Sequence, residues 1–592
     1  MGGTTCALRW RAGAGRVVAG AALLTAVALL PWLSAADPAL TVLRARFADQ
    51  DPTPAQLAAV RAQLGLDEGP FTHLARWLGG LARGDAGTSW VSGEPVLPLV
   101  ANAFAVSTTL VLGALVVTLA VAALVVARTL RRGARQAAVG SAGTGAAFLA
   151  ALPKFVLAAL LATVFGVWLG WFPSSGWAGP ASMVLPALAL GVPSGAVIGG
   201  LLDQALPAAF AEPWVRTSHA CGIPPGRIAV RVLRGALAGV LPQFLPNVVA
   251  LVGGAVAVEK IFNIPGLGRL ALDAATAQDL PPLQASTLAL VLLGVTTGLL
   301  VGALRHALLG PALRDGGLIA AHTPFRRPQR STRALVAFCG LALLALVVAG
   351  SLRDPLHVDT AARLLPPSPT HPLGTDALGR DLLARLGHGA LHTASLALGV
   401  TAVSVLTGLL LGIAGRATAG LTEIMSTLPA VLIGLLTTAV TGPSVWGAAA
   451  AVCLIAWTPY AAQTTALIQQ ERASGHILSS LSCGAGPTHL LRHHLLPAVL
   501  PAVVRNALLR LPTTVLVLAS LGFLGLGEQP PTPEWGRLLA ENQPYLELAP
   551  WTALGPAGAL VLLSVLALAG TAAGRDSSVS RRRSRRAAPT SS

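Results

Sequence analysis

The sequence predicts an all-α polytopic membrane protein with about 12 transmembrane helices in two parallel six-helix halves. Hydrophobic residues make up 54% of the chain and charged residues 11%, whereas about 25% of a soluble domain is charged. Several uncharged runs reach the roughly 20 apolar residues that a helix needs to cross a bilayer. Backbone polar groups in lipid must be satisfied within the segment, so these runs are expected to be helices.

The apolar runs place six spans in each half of the chain. The first six are expected at 17–35, 102–127, 143–169, 181–202, 236–258 and 284–304, and the second six at 334–351, 393–414, 424–441, 444–468, 503–522 and 550–573. Two longer runs break at Gly- and Pro-rich stretches, which permit a turn. Arg505 and Arg510 fall at or inside the start of the eleventh span, so either they snorkel toward the headgroups or that helix begins later.

The formal net charge of +17 comes from arginines that collect on one side of the predicted membrane. They precede span one, follow span two, lie between spans four and five and between the halves, and recur in the C-terminal tail at 581–586. The positive-inside rule then predicts cytoplasmic N- and C-termini in a cell membrane, with lipid as a partner. This distribution argues against a nucleic-acid partner.

The N-terminus has two interpretations. Arg16, the apolar run after it and LSAAD at Leu33–Asp37 also fit a cleaved secretory signal peptide. Cleavage would leave eleven spans and unequal halves, so an uncleaved first span is favoured. The five cysteines have no paired spacing and support neither a disulfide framework nor a zinc site.

Two Gly-rich phrases indicate an internal duplication. They are IFNIPGLGRLALDA, at Ile261–Ala274, and FLGLGEQPPTPEWGRLL, at Phe523–Leu539. No βαβ context surrounds them, so they are not dinucleotide sites. Phe262 and Phe523 are 261 residues apart, while Gly222 and Gly484 are 262 apart. Because these two pairs have nearly the same separation, the sequence predicts a repeated outer turn after the fifth span of each half and a repeated loop after the fourth.

The duplication predicts the domain organisation. The first half is expected at 1–315, with a long outer segment at 36–100, and the second half at 334–575. A polar cytoplasmic linker at 316–333 joins them, and a basic cytoplasmic tail occupies 576–592. Six spans in each half give the halves a parallel orientation, which allows them to pair about an axis along the membrane normal and leave a transport pathway.

The chain lacks the residues of an ATPase. Its two lysines, Lys154 and Lys260, do not follow G-x-x-x-x-G, so there is no Walker A phosphate cradle and no cofactor site is predicted. A partner must hydrolyse the nucleotide, or an ion gradient must drive transport. Gradient-driven carriers usually hold ionisable residues within their spans, whereas Glu259 and Glu423 fall at predicted span boundaries. That position weakens the gradient interpretation.

Two cytoplasmic segments have the form that an ATPase groove would accept. Asp203–Arg234 and Gln469–Leu496 each contain a short helix-like stretch, a glycine and a basic stretch that leads to Pro242 or Pro497. A helix–turn–helix of this kind can dock into a groove of a partner protein.

Longer phrases resemble the permeases of dipeptide, oligopeptide and nickel-type ABC importers. LGWFPSSGW (169–177), VLPALALG (184–191) and EKIFNIPGLGRLALDA (259–274) resemble the first permease of these systems. HPLGTDALGRDLLARLGHGALHTASLALG (371–399), RHHLLPAVLP (492–501) and SLGFLGLGEQPPTPEWGRLL (520–539) resemble the second. The resemblance covers nearly the whole chain and identifies it as a fusion of both permeases.

The resemblance implies which residues serve the partners. By this resemblance, the residues of the loops that couple to two ATPase subunits are Arg216, Gly222, Gly484, His494 and Pro497. The outer turns that match the surroundings of the solute-binding protein's dock contain Phe262, Pro265, Gly266, Gly268, Phe523, Gly525, Gly527, Trp535 and Gly536. Two departures put the coupling contacts in doubt. Leu478, Ser479 and Ser480 replace the family's Glu-Ala-Ala, and RTSHACG replaces Arg-Thr-Ala-Arg-Ala-Lys-Gly.

The outer start of the second half contains other polar residues. His371, His388 and His392 are not spaced as a dedicated ligand set, so no metal site is predicted. Asp376, Arg380 and Asp381 are expected to form hydrogen bonds within the segment that leads into span eight.

The expected function is that of a non-enzymatic permease of an ATP-driven importer for peptides or a similar small solute. Its halves would alternate in access, with energy from separate ATPase subunits and solute from an extracytoplasmic binding protein. Two alternatives stay open: a gradient-driven carrier with two six-span halves, and a membrane scaffold that transports nothing.

Overall fold

The computed structural model describes residues 53–63, 69–136, 144–240, 244–309, 330–415 and 418–566, with individual residues between 25 and 43. In these residues the chain is helical and contains no β-strand. Isolated β-bridges pair Thr88 with Pro95 and Thr375 with Asp381. The predicted all-α class is therefore confirmed.

The helices of the N-terminal part follow a turn of helix at Leu30–Leu33. They are α1 (Pro54–Gln63), α2 (Pro70–Ala82), α3 (Val96–Ala134), α4 (Thr144–Ala151), α5 (Lys154–Leu161), α6 (Pro180–Phe210), α7 (Pro213–Ala220), α8 (Pro225–Val240), α9 (Phe244–Ile261), α10 (Leu267–Thr276) and α11 (Leu280–Leu309). A π-helical segment, Ala162–Trp168, continues α5.

The C-terminal part repeats this succession of long and short helices. They are α12 (Arg330–Ser351), α13 (Leu382–Ala414), α14 (Ala419–Thr427), α15 (Ala430–Thr441), α16 (Val445–Ala456), α17 (Thr458–Arg472), α18 (Gly475–Ser482), α19 (Pro487–Leu490), α20 (Leu496–Leu524), α21 (Trp535–Asn542) and α22 (Trp551–Leu566). A π-helical segment, Leu491–Leu495, joins α19 to α20.

Every predicted span except the first overlaps described helix, and the last one, 550–573, is described only as far as residue 566. The first span, 17–35, lies largely outside the described residues, as do most of the linker and the whole basic tail. Among the described helices, six are long and apolar enough to cross a membrane, and four shorter apolar helices accompany them. The multi-span helical architecture is confirmed, while the total of twelve stays a prediction.

Three predicted spans contain breaks that the apolar pattern did not indicate. Helices α4 and α5 are separated at Leu152 and Pro153, and α14 and α15 at Leu428 and Pro429. A residue before proline is disfavoured in the α-helical conformation, which explains both breaks. A third break, at Trp457, separates α16 from α17.

Two span boundaries differ from the prediction. Helix α20 begins at Leu496 and contains both Arg505 and Arg510, so the eleventh helix begins earlier than residue 503. The first residues of the predicted fifth span belong to α8, which ends at Val240, and α9 begins at Phe244. Residues 495–504 are apolar throughout, and α20 runs through Pro497 and Pro501, which it accommodates in its first two turns.

The chain forms two compact units. Unit 1 contains the described residues up to Ala101, with Leu270–Leu288 and Ala345–Pro556. Unit 2 contains Asn102–Arg269 and the described parts of 289–344 and 557–566. Each unit contains residues from both sequence halves, so the compact units do not correspond to the predicted halves at 1–315 and 334–575. The two halves stay a prediction about repeated sequence.

Glycines allow close helix packing within each unit. In unit 2, Gly191, Gly195 and Gly199 of α6 lie against α3, where a Cβ on any of them would overlap valine side chains and backbone. In unit 1, Gly408 and Gly412 of α13 lie in the same way against α17. Small residues drive helix association in membranes because lipid-immersed helices gain little from the hydrophobic effect.

Candidate functional site

The two predicted coupling segments have the same turn. Helix α7 ends at Ala220 with Cys221 as its C-cap, and the Gly222 and Ile223 N–H groups donate to the carbonyls of His219 and Ser218. This pair of bonds, with Gly222 at a φ of 72°, is a Schellman motif, which favours glycine because other residues are strained at positive φ.

The second coupling segment repeats these bonds at an offset of 262 residues. Gly484 and Ala485 donate to the carbonyls of Leu481 and Ser480, and the φ of Gly484 is 84°. The glycine pair that the sequence singled out therefore occupies equivalent backbone positions.

Apolar residues at the same offset anchor both segments. Val215 of α7 and Ile228 of α8 are buried in a cluster with Leu206 of α6. The residues 262 positions later, Ile477, Leu490 and Ile468, are buried together in a second cluster. Each segment thus rests on its own hydrophobic cluster, within its own unit, and presents its other face outward.

The outward faces carry the predicted contact residues. Arg216, Gly222 and Gly484 are exposed. Leu478 and Ser479, which stand at positions of the family's Glu-Ala-Ala, are exposed as well. The second segment therefore offers a partner an apolar and hydroxyl surface where the resemblance would have placed a carboxylate.

The remaining coupling residues, His494 and Pro497, lie behind the second turn. His494 is half-buried in the π-helical segment, and its Nε2 lies 3.5 Å from the Ser480 Oγ. Pro497 is exposed at the second position of α20, where its missing N–H has no intrahelical partner to lose.

A group of histidines surrounds His494, which the sequence analysis missed. The rings of His489 and His493 stack with their centroids 4.4 Å apart. The His494 ring lies 5.9 Å from His489 and 5.8 Å from His476. Their spacing at 489, 493 and 494 on one helical stretch was a readable signal, because residues four apart share a helix face.

The first outer turn is built around a buried glutamate. Glu259 accepts hydrogen bonds from the Ser107 hydroxyl at 2.6 Å and from the Arg269 N–H at 3.0 Å. The Ser107 Oγ also accepts the Leu267 N–H at 2.8 Å. Gly266 and Gly268 leave no room for a Cβ beside this carboxylate. The glycines of the first phrase are therefore required for the approach of Glu259.

The second outer turn contains an equivalent carboxylate from a different position. Glu534 accepts the N–H groups of Gly536 at 3.1 Å and Arg537 at 3.0 Å and caps α21. Burial raises the pKa of Glu534 to about 7, although these two bonds act to lower it. The Trp535 Nε1–H donates to the Leu386 carbonyl at 2.9 Å and fixes α21 against α13.

Both outer turns therefore cap the same tripeptide, Gly-Arg-Leu. The Gly and Arg of this tripeptide are Gly268 and Arg269 in α10, and Gly536 and Arg537 in α21. In the first turn the capping carboxylate precedes the Gly-rich phrase, and in the second it directly precedes the helix. A carboxylate at a helix N-terminus stabilises the free N–H groups there.

Burial divides the predicted dock residues into two groups. Pro265 is exposed and Gly525 is half-buried. The other seven are buried, namely Phe262, Gly266, Gly268, Phe523, Gly527, Trp535 and Gly536. These seven shape the turns from within, so direct contact with a partner is left to exposed neighbours such as Asn263 and Gln529.

The expected hydrogen bonds at the outer start of the second half are present. The Arg380 Nε donates to Asp376 at 2.8 Å, and Arg353 donates to Asp381 at 2.6 Å. Arg385, which is 1% exposed, adds a bond to Asp376 at 2.7 Å and an ion pair with Glu541 at 3.1 Å. This network ties α13 to α21.

Asp381 is the N-cap of α13 and also belongs to this network. It accepts the Leu383 and Ala384 N–H groups. Burial alone would raise the pKa of Asp381, but the bonds from Ala384, His371 and Arg353 outweigh it and hold the pKa below its usual value.

The three outer histidines have separate partners. His371 pairs with Asp381 at 3.0 Å, His388 lies 3.0 Å from the Ala384 carbonyl, and His392 pairs with Glu528 at 3.1 Å. Each ring is therefore occupied in fixing the outer segment.

Comparisons with known proteins match this architecture twice. The family described as "Binding-protein-dependent transport system inner membrane component" matches residues 143–314 and 400–573, together more than half of the chain. Each match contains one coupling segment and one outer turn.

Individual relatives are permeases of peptide transport systems. The Di/tripeptide transport system permease protein DppC of Pseudomonas aeruginosa is 38% identical over 204 residues, which cover 33% of this chain and 67% of the relative. The Probable D,D-dipeptide transport system permease protein DdpC of Escherichia coli K12 is 31% identical, with coverages of 40% and 83%. The Peptide transport system permease protein SapC of Escherichia coli O6:H1 is 33% identical, with coverages of 41% and 88%.

The fold and the duplicated segments define a multi-pass membrane permease rather than an enzyme. The chain belongs to the family of binding-protein-dependent transport system inner membrane components and carries two of its domains in one polypeptide. The predicted fusion of two permeases is therefore confirmed.

Proposed function

We propose that this chain is the complete membrane pathway of an ATP-driven importer for peptides or a similar small solute. The observation that carries the proposal is the pair of exposed Gly turns, at Gly222 and Gly484, which rest on hydrophobic clusters of equivalent residues. One chain thereby offers two equivalent docking segments, as a transporter with two ATPase subunits requires.

The proposed mechanism is alternating access. ATP binding would close the ATPase subunits on each other and displace the coupling segments α7 and α18, which changes the side of the membrane to which the solute pathway is open. Such a change requires each partner to bind the two states with different free energies. Within this chain, α6 and α17 precede the coupling segments directly and would transmit the displacement.

The proposed partners follow from the same assignment. A solute-binding protein delivers the solute at the outer turns, lipid surrounds the spans, and the ATPase subunits supply the nucleotide chemistry. Peptides are the favoured solute because the relatives named above are permeases of peptide systems. The arginine distribution supports cytoplasmic N- and C-termini in the cell membrane.

Affinity purification from native membranes tests the assignment of the coupling segments. Wild-type chain is expected to recover ATPase subunits that contain a Walker A sequence. Replacing residues 213–222 and 475–484 with Gly-Ser linkers should remove those subunits, whereas the same replacement of α1 (Pro54–Gln63), which is largely exposed, should not.

Two outcomes would contradict this assignment. Retention of the ATPases by the double-linker variant would place the docking surface elsewhere. A purified wild-type chain without any ATPase, moving solute in vesicles under an imposed ion gradient, would favour the gradient-driven carrier.

A further inference from the structure

Arg510 lies deep within the membrane. It is the middle residue of α20, whose 29 residues run from Leu496 to Leu524. At 1.5 Å per residue this helix is about 43 Å long, and the hydrocarbon core is about 30 Å thick. The predicted eleventh span is 503–522, which places Arg510 seven residues, or about 10 Å, inside the hydrocarbon core. A charged side chain at such a depth faces the protein interior or water rather than lipid.

The neighbours of Arg510 on α20 indicate whether its side chain faces lipid or a polar environment. Val503, Ala507 and Thr514 are buried and lie seven and three residues before Arg510 and four residues after it, on the same face of α20. Arg510 is nevertheless exposed. On its other side, Asn506 and Thr513 are half-buried and exposed, respectively, so Arg510 lies on a polar strip at the edge of the packed face rather than among apolar, lipid-facing residues.

Arg505 provides the contrast. It is also exposed, but it lies on the opposite face, beside Val504 and Leu508, which are 41% and 62% exposed. This apolar, exposed face is the one that lipid covers. The two arginines of α20 therefore have different surroundings.

Polar side chains of α20 and α17 near Arg510 are held in place by hydrogen bonds. Asn506, one turn before it, donates to the Gln463 Oε1 at 2.6 Å, and the Gln463 Nε2 donates to the Ala502 carbonyl at 3.4 Å. Tyr460 of α17 lies within electrostatic range of Arg510. All of these residues belong to unit 1.

We propose that Arg510, with Asn506 and Gln463 beside it, forms a carboxylate-binding site on the solute pathway. A guanidinium matches the two oxygens of a carboxylate with parallel hydrogen bonds. Every peptide has such a group at its C-terminus, so the site takes the anionic end of the peptide in transit. The inference rests on the proposed function and adds to it the chemical group that is recognised within the membrane.

Cysteine labelling tests whether Arg510 borders water. Arg510→Cys and Leu508→Cys are made without the native cysteines, and the assembled transporter in inverted vesicles is treated with the impermeant anion 2-sulfonatoethyl methanethiosulfonate. An Arg131→Cys chain, whose substituted position is exposed at the end of α3 and outside both coupling segments, is the positive control. The Arg510→Cys thiol should react, while the Leu508→Cys thiol should not. Equal inertness of these two variants, with the Arg131→Cys control modified, would overturn the proposal.

Uptake of labelled dialanine tests the carboxylate contact. The Arg510→Gln variant should show uptake at least about tenfold lower at subsaturating dialanine, because a charge-assisted hydrogen bond is lost. Arg505→Gln should stay within about twofold of wild type. Equal uptake by Arg510→Gln and wild type, or equal losses from both variants, would overturn the inference alone. No uptake by the wild type would contradict the proposed peptide function, and the carboxylate ligand with it.

Discussion

At the scale of single residues, buried carboxylates determine where the Gly-rich phrases need glycine. Glu259 leaves no room for a Cβ on Gly266 or Gly268 of the first phrase, and Glu534 leaves none on Gly522, which directly precedes the second phrase. Both cap a short outer helix, although they come from different positions relative to the phrase. The repeated sequence predicted the two turns, but it did not predict their carboxylates, because the capping residue comes from a different place in each half.

Glu534 makes the stability of the outer turn depend on pH. Its pKa is about 7 in the folded chain and 4.5 ordinarily. Between pH 4.5 and 7 the folded state keeps a proton that the unfolded chain loses, so stability falls as the pH rises through this window, by about 3 kcal/mol. The thermal midpoint of the wild type should fall from pH 5.5 to pH 7.5 by more than that of Glu534→Gln. Parallel changes in both proteins would contradict the assignment.

The outer ion network should depend more on its buried than on its exposed arginine. Arg385→Met leaves Asp376, which is 2% exposed, without one of its cations, and we expect a loss of about 3 kcal/mol or more. Arg353→Met removes an arginine that is 34% exposed and should cost at most about 1 kcal/mol. Thermal unfolding in detergent checks both variants, and equal losses would refute the ranking.

The sequence predicted part of this network for a physical reason. Asp376, Arg380 and Asp381 lie within six residues, so their local bonds could be anticipated. The Arg385–Glu541 pair joins residues 156 apart, and no local pattern indicates which distant helix will meet α13. The helical spacing of His489, His493 and His494 was a local signal, whereas their approach to His476 of α18 was not.

At the scale of helices, the contact between α3 and α6 depends on the absence of side chains. A Cβ on Gly195 would lie 2.6 Å from the Thr118 carbonyl oxygen and 2.7 Å from the Val121 Cβ. Gly195→Ala is therefore expected to cost about 1–3 kcal/mol through overpacking. Gly200→Ala, on the same helix, meets no atom within 4 Å and should be neutral or stabilising. Equal thermal midpoints for the two variants would refute this account of the contact.

Helix positions were easier to predict than helix interruptions. Apolar runs located the spans because lipid demands about 20 such residues. Breaks at Leu152 and Leu428 were missed, although a proline follows each of them, because the apolar pattern continues through the break. The early start of α20 was missed although its first residues, 496–504, are all apolar; Pro497 and Pro501 lie among them without ending the helix.

At the scale of the whole molecule, one polypeptide supplies two copies of the family domain. The sequence offset of 262 residues between the coupling glycines recurs in the structure as equivalent turns and equivalent buried anchors. The duplication could be predicted because similar residues recur at a constant offset along the chain. The burial of seven of the nine dock residues could not be predicted, because a Gly-rich phrase has the same sequence in an exposed loop and in a packed turn.

Reconstituted transport tests the central claim most directly. The chain, its ATPase subunits and its binding protein are placed in proteoliposomes, and uptake of labelled dialanine is followed with and without ATP. The account predicts uptake that requires ATP and the binding protein, and that falls to background when residues 213–222 and 475–484 are replaced by linkers. Uptake that persists with those linkers, or that an ion gradient drives without the ATPases, would contradict it.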